Sequence, residues 1–499
     1  MSGSGNVFID ALAGESWLDA GRDAHITWRL SDAYGLGWSD AQRTDLAAAL
    51  ASYAAVANIT FQMVATDTAA DLVEYRVTTS QFAAAFPSSP YGAHRAGWAG
   101  YHYGPHDVEG TSEPARGYYD SNKLNSWLIL HELGHGLGLE HPHTAIHGTG
   151  LFPGIKNGNG SDRGTYGLNN TLNTLMSYNS LKGYGTTFDG PMALDIAALQ
   201  AMYGANMSTA TGSDTYVVAR GAYKAIWDAG GTDWLVAGTD NGAYLDLRPA
   251  TLEVEPGGGG WLSRATGFSG GYTIAAGVWI ENARGGAGND ILVGNELVNR
   301  LEGGLGDDVY ITDDSWDVIV DTGGTDAIQS SVSASLESRP GIERLFLTGN
   351  ATYGTGNDLD NGLFGNSVAN TLDGGGGDDW LYGGRGKDTL IGGTGADVFD
   401  FNNIKDSRKG WAKRDEIVDF ERGLDTINLK TIDAMRSDPG NDKFKWIGKS
   451  KFHHVEGELR YVQKSGFVLV EGDTNGDGRA DFQIQLDGVW GLGKGDFIL

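Results

Sequence analysis

Residues 285–293 read Gly285-Gly286-Ala287-Gly288-Asn289-Asp290-Ile291-Leu292-Val293, a nonapeptide of the form Gly-Gly-x-Gly-x-Asp-x-apolar-x. Stepping by nine carries the pattern through GNELVNRLE, GGLGDDVYI, TDDSWDVIV and DTGGTDAIQ to Gln329. A second register opens at Gly356 and runs GNDLDNGLF, GNSVANTLD, GGGGDDWLY, GGRGKDTLI and GGTGADVFD to Asp400. The period persists where the glycines are lost, which glycine richness alone would not produce. Such a repeat predicts stacked turns joined by short parallel strands, an all-β roll. Glycine permits the left-handed backbone of tight turns, and the turn carbonyls face inward. Position six adds a carboxylate per turn, and stacked turns are expected to hold calcium between them. The expected calcium positions are Gly285, Gly286, Gly288 and Asp290, then Gly303, Gly304, Gly306 and Asp308. In the second register they are Gly374, Gly375, Gly377 and Asp379, then Gly383, Gly384, Gly386 and Asp388, then Gly392, Gly393, Gly395 and Asp397. Position eight (Leu292, Tyr310, Leu381, Leu390, Phe399) is apolar and should fill a thin core. A disordered Gly/Asp linker would lack that in-register apolar position. Degenerate copies such as TDDSWDVIV are expected to bind calcium poorly.

A second stretch carries chemistry. Residues 131–141 read HELGHGLGLEH. His131 and His135 are four apart, so on a helix they share one face and can grip one metal ion. Glu132 sits beside them, where a carboxylate can work on water. Gly138 lets the chain leave the helix and bring back His141 as a third nitrogen donor. Three histidines and one open position are the donor set of a catalytic zinc.

Length and composition set bounds. The 499 residues exceed one compact core, so two or three domains are expected. Acidic residues number 64 against 36 basic, a formal charge of -28, which argues against a nucleic-acid partner and suits a binder of hard cations. Cysteine is absent, which excludes disulfides and thiolate sites and leaves calcium as a natural staple. Met1 to Ala20 lacks the basic start and apolar run of a secretory signal peptide. No run of about eighteen apolar residues predicts a membrane span.

The first two hundred residues read as a mixed helix-and-strand domain. His25–Leu30, Ile59–Val64 and Leu72–Val77 look like strands. Ser39 should cap a helix through Val56 with Leu46, Leu50 and Tyr53 on one face. The histidine-bearing helix is expected from about Asn122 to Leu137, on a stripe of Trp127, Leu130, Leu133 and Leu137. Pro191–Gly204 reads as a further helix ended by Gly204. Near the C-terminus, Asp415–Ile427 and Phe482–Leu486 suggest strands of a β-sandwich. Asp473, Asn475, Asp477 and Asp481 make an oxygen-rich loop that could hold another calcium or be a plain turn.

Downstream of His141 stands Leu175-Met176-Ser177-Tyr178. With the HExxHxxGxxH stretch, this resembles the metzincin metalloendopeptidases, whose zinc helix is followed by a methionine turn, and its Met-Ser-Tyr form resembles the serralysin branch. The repeat half resembles the calcium-binding RTX domain of serralysins. The stretches 205–207 (ANM), 225–235 (AIWDAGGTDWL) and 280–294 (IENARGGAGNDILVG) share the likeness, which runs from Ile9 onward. The terminal Asp496-Phe497-Ile498-Leu499 resembles the export signal of proteins secreted in one step by ABC transporters.

The resemblance implies an α+β metzincin catalytic domain over 1–206, with 1–15 as a propeptide remnant. An RTX β-roll over 207–400 and a C-terminal β-sandwich over 401–499 should follow. It implies a secreted, extracellular, bacterial zinc endopeptidase and a monomer. The implied partners are protein or peptide substrates, ABC-type export machinery and a proteinaceous inhibitor. One zinc would sit on His131, His135 and His141, with Glu132 as general base and Met176 beneath the metal. Tyr178 would be a ligand at rest that swings to the transition state. Residues 97–103 (GWAGYHY) are expected to form an edge strand for extended substrate. His102, His106, His143 and His147 are expected at the surface, and Glu140 adds a carboxylate beside the third histidine. Gly267-Phe268-Ser269-Gly270-Gly271 fits a serine-hydrolase elbow but lacks its strand-turn-helix context. The competing reading is a non-catalytic, calcium-stabilised surface or adhesion protein with a vestigial zinc site. The intact histidines, Glu132 and methionine turn speak against it.

Overall fold

The structure is a computed structural model describing residues 4–14, 16–17, 24–85, 99–102, 114–121, 124–145, 149–156, 158–180, 187–219, 221–437 and 439–499. Two compact units form, one of residues 1–239 and 244–282, the other of residues 240–243 and 283–499.

Among the described residues the first unit has the helices α1 (Val7–Leu12), α2 (Asp40–Val56), α3 (Thr79–Ala85), α4 (Ser126–Gly136) and α5 (Ala193–Tyr203). Its main sheet has β1 (His25–Ser31), β2 (Thr60–Met63), β3 (Leu72–Val77), β4 (Ala99–His102) and β5 (Ala115–Asp120), in the order β2-β1-β3-β5-β4. All pairings are parallel except that of β4, which runs antiparallel to β5 at the sheet edge. Along β1 the alternation expected of HITWRL buries Ile26, Trp28 and Leu30. Ser39 and Gln42 form a capping box at the start of α2, which buries Leu46, Leu50 and Tyr53. Helix α4 begins later than the sequence suggests, because the Asn125 side chain accepts from the Leu128 N–H and sets the cap there. Helix α1 is packed into this unit: Phe8, Ala11 and Leu12 are buried, and the Leu12 carbonyl accepts from the Glu140 N–H.

The second unit is mostly parallel β. Strands 291–293, 309–312, 327–330, 344–347, 362–364, 380–382, 398–400 and 426–428 pair in series, mostly eighteen residues apart. A second series includes 334–335, 353–355, 371–373, 389–391 and 415–417. On one face the two sequence registers join into a continuous sheet, bridged by the strand at 344–347, while on the other face 282–284, 300–302 and 318–320 belong to a separate sheet. Leu292, Tyr310, Leu381, Leu390 and Phe399 are all fully buried, as position eight requires. Strand 482–487 pairs with 415–417, and 497–498 with 426–428, so each extends a sheet of the roll.

Candidate active site and cation-binding turns

Helix α4 ends where two of the histidines need it to. Gly138 takes φ +94°, its N–H reaches the His135 carbonyl at 3.0 Å, and the Leu139 N–H reaches the Gly134 carbonyl at 2.9 Å. This Schellman closure turns the chain back over the helix and delivers His141. Orphan carbonyls of the last turn are satisfied elsewhere: Trp17 Nε1 donates to Gly136 O and Tyr203 Oη to Leu137 O, both at 2.8 Å.

The three histidines converge. His141 Nε2 lies 3.2 Å from His131 Nε2 and 3.1 Å from His135 Nε2. His131 Nδ1 is 2.8 Å from the Leu175 carbonyl and His135 Nδ1 is 2.7 Å from the Leu139 carbonyl. A carbonyl can only accept, so each Nδ1 donates and each Nε2 presents a lone pair to the same small space. Lone pairs facing one another at that range suit a shared cation, and this donor set fits zinc. Burial pushes His135 down to about 4, which keeps it neutral. Tyr178 Oη is 2.8 Å from His141 Nε2, so the fourth expected residue joins the cluster.

Glu132 is buried, and burial with the nearby Glu74 carboxylate pushes it up to about 8. Met176 is fully buried, and its Sδ would lie 3.0 Å from a Cβ on Gly134, so a glycine there lets the turn sit against α4. Edge strand β4 lies against α4. Gly97, Trp98 and Tyr103 of the expected edge strand lie outside the described residues, as do His106, His147 and the side chain of His102.

His143 is a correction. The sequence reading puts it at the surface, yet it is 2 % exposed, with its ring 5.0 Å from that of His141 and 4.8 Å from that of Tyr178. Gly160 permits this, since a Cβ there would come within 3.2 Å of His143 Nε2 and 3.1 Å of Tyr178 Cδ2. A histidine two residues past a motif carries no periodic signal, so the tertiary turn alone buries it.

Asp195 is a residue that sequence reasoning misses. From α5 its carboxylate accepts from Thr174 Oγ1 (2.5 Å), Leu175 N–H (2.7 Å) and Met192 N–H (3.0 Å). It thereby fixes the backbone whose Leu175 carbonyl orients His131. Only its place as an acidic residue in the first turn of an expected helix could draw attention to it.

In the roll, the position-six aspartates after Asp290 accept a backbone N–H through Oδ1 from the turn eighteen residues before, and Asp290 Oδ1 accepts from the Ala243 N–H. Asp290 N–H reaches Asp308, and Asn361 N–H reaches Asp379, both at 2.7 Å. Asn370 N–H reaches Asp388 at 2.8 Å. Oδ2 of Asp308, Asp317, Asp379 and Asp388 is buried without a hydrogen-bond partner. Burial pushes Asp308 and Asp379 up to about 7 and Asp317 and Asp388 up to about 6. A buried carboxylate oxygen with no donor costs about 1–3 kcal/mol or more, so a hard cation fits here. A Cβ on Gly374 would land on Asp379 Oδ2 and the Gly392 carbonyl, which accounts for glycine at position one. Asp317 belongs to TDDSWDVIV, so that degenerate copy retains its inward carboxylate. Asp214, Asp228 and Asp233 of the first unit also bring oxygens together, a cluster that sequence spacing does not reveal. At the 473–481 loop, Asp473 accepts from the Gly476 and Gly478 N–H groups and Asp481 from Thr474 and Asn475. Those carboxylates are engaged by their own loop.

Comparison with known proteins adds kinship. A family model described as peptidase M10 serralysin C terminal matches residues 193–349 and 365–499. Serralysin C of Dickeya chrysanthemi is 31% identical over 301 residues, 53% of this chain and 58% of that protein. Serralysin B of the same organism is 29% identical over 259 residues, 46% of this chain and 48% of that protein. Metalloprotease AprA of Pseudomonas entomophila is 29% identical over 259 residues, 44% of this chain and 50% of that protein. The chain spans about half the length of the curated relatives it matches. The solution structure of the AlgE6R3 subunit of Azotobacter vinelandii mannuronan C5-epimerase aligns with 28% of this chain and 78% of that chain at 22% identity, with a TM-score of 0.15.

Proposed function

The chain belongs to the peptidase M10 serralysin C-terminal family, and from that premise we propose that it is a secreted zinc endopeptidase whose roll is stabilised by calcium. One observation carries the catalytic half of this reading. Two Nε2 lone pairs, each fixed by an Nδ1–H donated to a backbone carbonyl, face a third histidine beside a buried glutamate.

His131, His135 and His141 would hold the metal, with Tyr178 at its side. Bound there, zinc would acidify a water and polarise a peptide carbonyl. Glu132 takes the proton of the attacking water on its carboxylate and returns it to the leaving amine nitrogen. The raised affinity of Glu132 for a proton suits both steps, since it can hold one near neutral pH. Tyr178 Oη can donate a hydrogen bond to charge developing on the substrate oxygen. The outer edge of β4 offers backbone groups to an extended substrate strand. Asp195 keeps the 174–176 turn in place beneath the histidines. In the roll, the partnerless oxygens of Asp308, Asp317, Asp379 and Asp388 would bind calcium.

Protein substrates, release by an ABC-type exporter, an inhibitor protein and a monomeric state are parts of the same proposal. Among the described residues no helix is long and apolar enough to cross a membrane. The test is casein cleavage in excess calcium, with and without phenanthroline, against Glu132→Ala. Cleavage lost in both arms supports the reading. A folded, calcium-loaded wild type that cleaves nothing would favour the adhesion alternative.

A further inference from the structure

We propose that three turns of the roll, 294–299, 356–361 and 365–370, are closed by paired asparagines and hold no cation, so that calcium loads the roll in separate blocks. This rests on the reading of the aspartate turns as calcium sites. The three turns share Gly-Asn-x-x-x-Asn: Gly294, Asn295 and Asn299; Gly356, Asn357 and Asn361; Gly365, Asn366 and Asn370. Asparagine thus stands at position two, where binding turns have glycine, and at position six, where they have aspartate.

The side chains use that chemistry fully. Asn361 Oδ1 accepts the Asn357 N–H at 2.7 Å, and its Nδ2 donates to the Ile342 and Glu343 carbonyls, each at 3.3 Å. Asn357 Nδ2 donates to the Arg339 (3.0 Å) and Ile342 (3.1 Å) carbonyls. In the next turn, Asn370 Oδ1 accepts the Asn366 N–H and its Nδ2 donates to the Ala351 carbonyl, both at 2.9 Å. Asn366 Nδ2 adds a bond to Ala351 O at 2.8 Å. In the first turn, Asn299 Oδ1 accepts the Asn295 N–H (2.6 Å) and Asn299 Nδ2 donates to Asn295 Oδ1 (2.9 Å).

The aspartate turns at Asp308, Asp379 and Asp388 lack this closure, whereas Asp290 Oδ2 accepts the Gly286 N–H at 2.7 Å. Asp379 Oδ2 and Asp388 Oδ2 are buried with no donor, and an acid has no N–H to offer a carbonyl. The backbone differs as well: Gly375 and Gly377 have φ of +94° and +103°, whereas Asn357 and Leu359 at the same two places do not adopt positive φ. At Asn357, Asn361, Asn366 and Asn370 the side-chain N–H groups bind carbonyls of the segments at 339–343 and 351, and the Asn361 and Asn370 amide oxygens that could ligate a cation already accept backbone N–H groups. The neutral asparagine also leaves no charge for a cation to compensate. The calcium-bearing turns therefore fall into one block around Asp308 and Asp317 and another around Asp379, Asp388 and Asp397, with the asparagine turns at 356–370 between them; Asp290, whose Oδ1 and Oδ2 accept the Ala243 and Gly286 N–H groups, is closed in the same way as the asparagine turns.

The test measures bound calcium per full-length chain by elemental analysis after gel filtration, together with the melting temperature in saturating calcium. Asn361→Ala and Asn370→Ala should lower the melting temperature and leave bound calcium unchanged. Asp379→Ala should remove at least one calcium. Loss of calcium in either asparagine variant would overturn the inference, as would an unchanged melting temperature in both. Should those variants fail to fold, the milder Asn357→Ser serves the same comparison. A wild type that binds no calcium would instead refute the calcium reading itself.

Discussion

Replacing Asp379 by Asn should change the stability of the second unit with opposite sign in the presence and absence of calcium. The Asp379 carboxyl is pushed from 3.8 up to about 7, first by burial and then by the carboxylates of Asp397, Asp360 and Asp378, against the opposing Asn361 N–H. A raised folded-state pKa favours the neutral form. Its contribution to stability is intact below about pH 4 and is lost as the pH rises through about 7. Each tenfold gain in proton affinity corresponds to about 1.4 kcal/mol, so without calcium the ionised carboxylate costs the fold up to about 4 kcal/mol at pH 8. Asparagine has the same shape and no charge. In chelator at pH 8, Asp379→Asn should therefore stabilise the roll by up to about 4 kcal/mol, and at pH 4 by close to nothing. With calcium bound the same substitution removes a charged ligand and should destabilise. Urea unfolding followed by tryptophan fluorescence measures all three conditions. Equal destabilisation in chelator and in calcium at pH 8 would refute the reasoning, because it would mean that Asp379 works through packing rather than through its charge.

Three further outcomes are expected. Glu132→Gln should retain zinc by elemental analysis and lower kcat on a peptide substrate by about 10²–10⁴-fold, the usual worth of a general base. Gly374→Ala should cost bound calcium without touching the active site, since its methyl would occupy the space between Asp379 and the Gly392 carbonyl. It should leave cleavage by calcium-saturated enzyme intact at low temperature and lower its thermal stability. His143→Ala removes the ring stacked on His141 and tilted against Tyr178 and should reduce kcat more than it raises KM. His143→Phe, which keeps a ring, should restore most of the loss, and a Phe variant as impaired as the Ala variant would argue against stacking as its role.

Much of the protein is legible in its sequence. The nonapeptide period is local, because each turn repeats the same backbone geometry and each strand contributes one inward side chain. Reading position eight therefore identifies Leu292, Leu381 and Phe399 as core. The histidine spacing is legible for the same reason: four residues on a helix and a glycine exit define one cluster. The capping box at Ser39 and the glycine stop at Gly204 depend only on neighbouring residues and stand where local chemistry puts them.

Tertiary structure decided what depends on residues far apart in the chain. Asp195 acts on a turn twenty residues away, and no spacing rule links the two. His143 is buried because the loop at Gly160 folds over it. At Asn361 and Asn370 the closure of the turn depends on carbonyls eighteen or nineteen residues earlier, which become neighbours only when the turns stack. The amino-acid sequence by itself determined the repeat, the spacing of the three histidines and the sign of the charge, since these follow from local geometry and composition. Packing between distant segments determined which carboxylates lost their water and which histidines lost their freedom, because desolvation is a property of the folded neighbourhood.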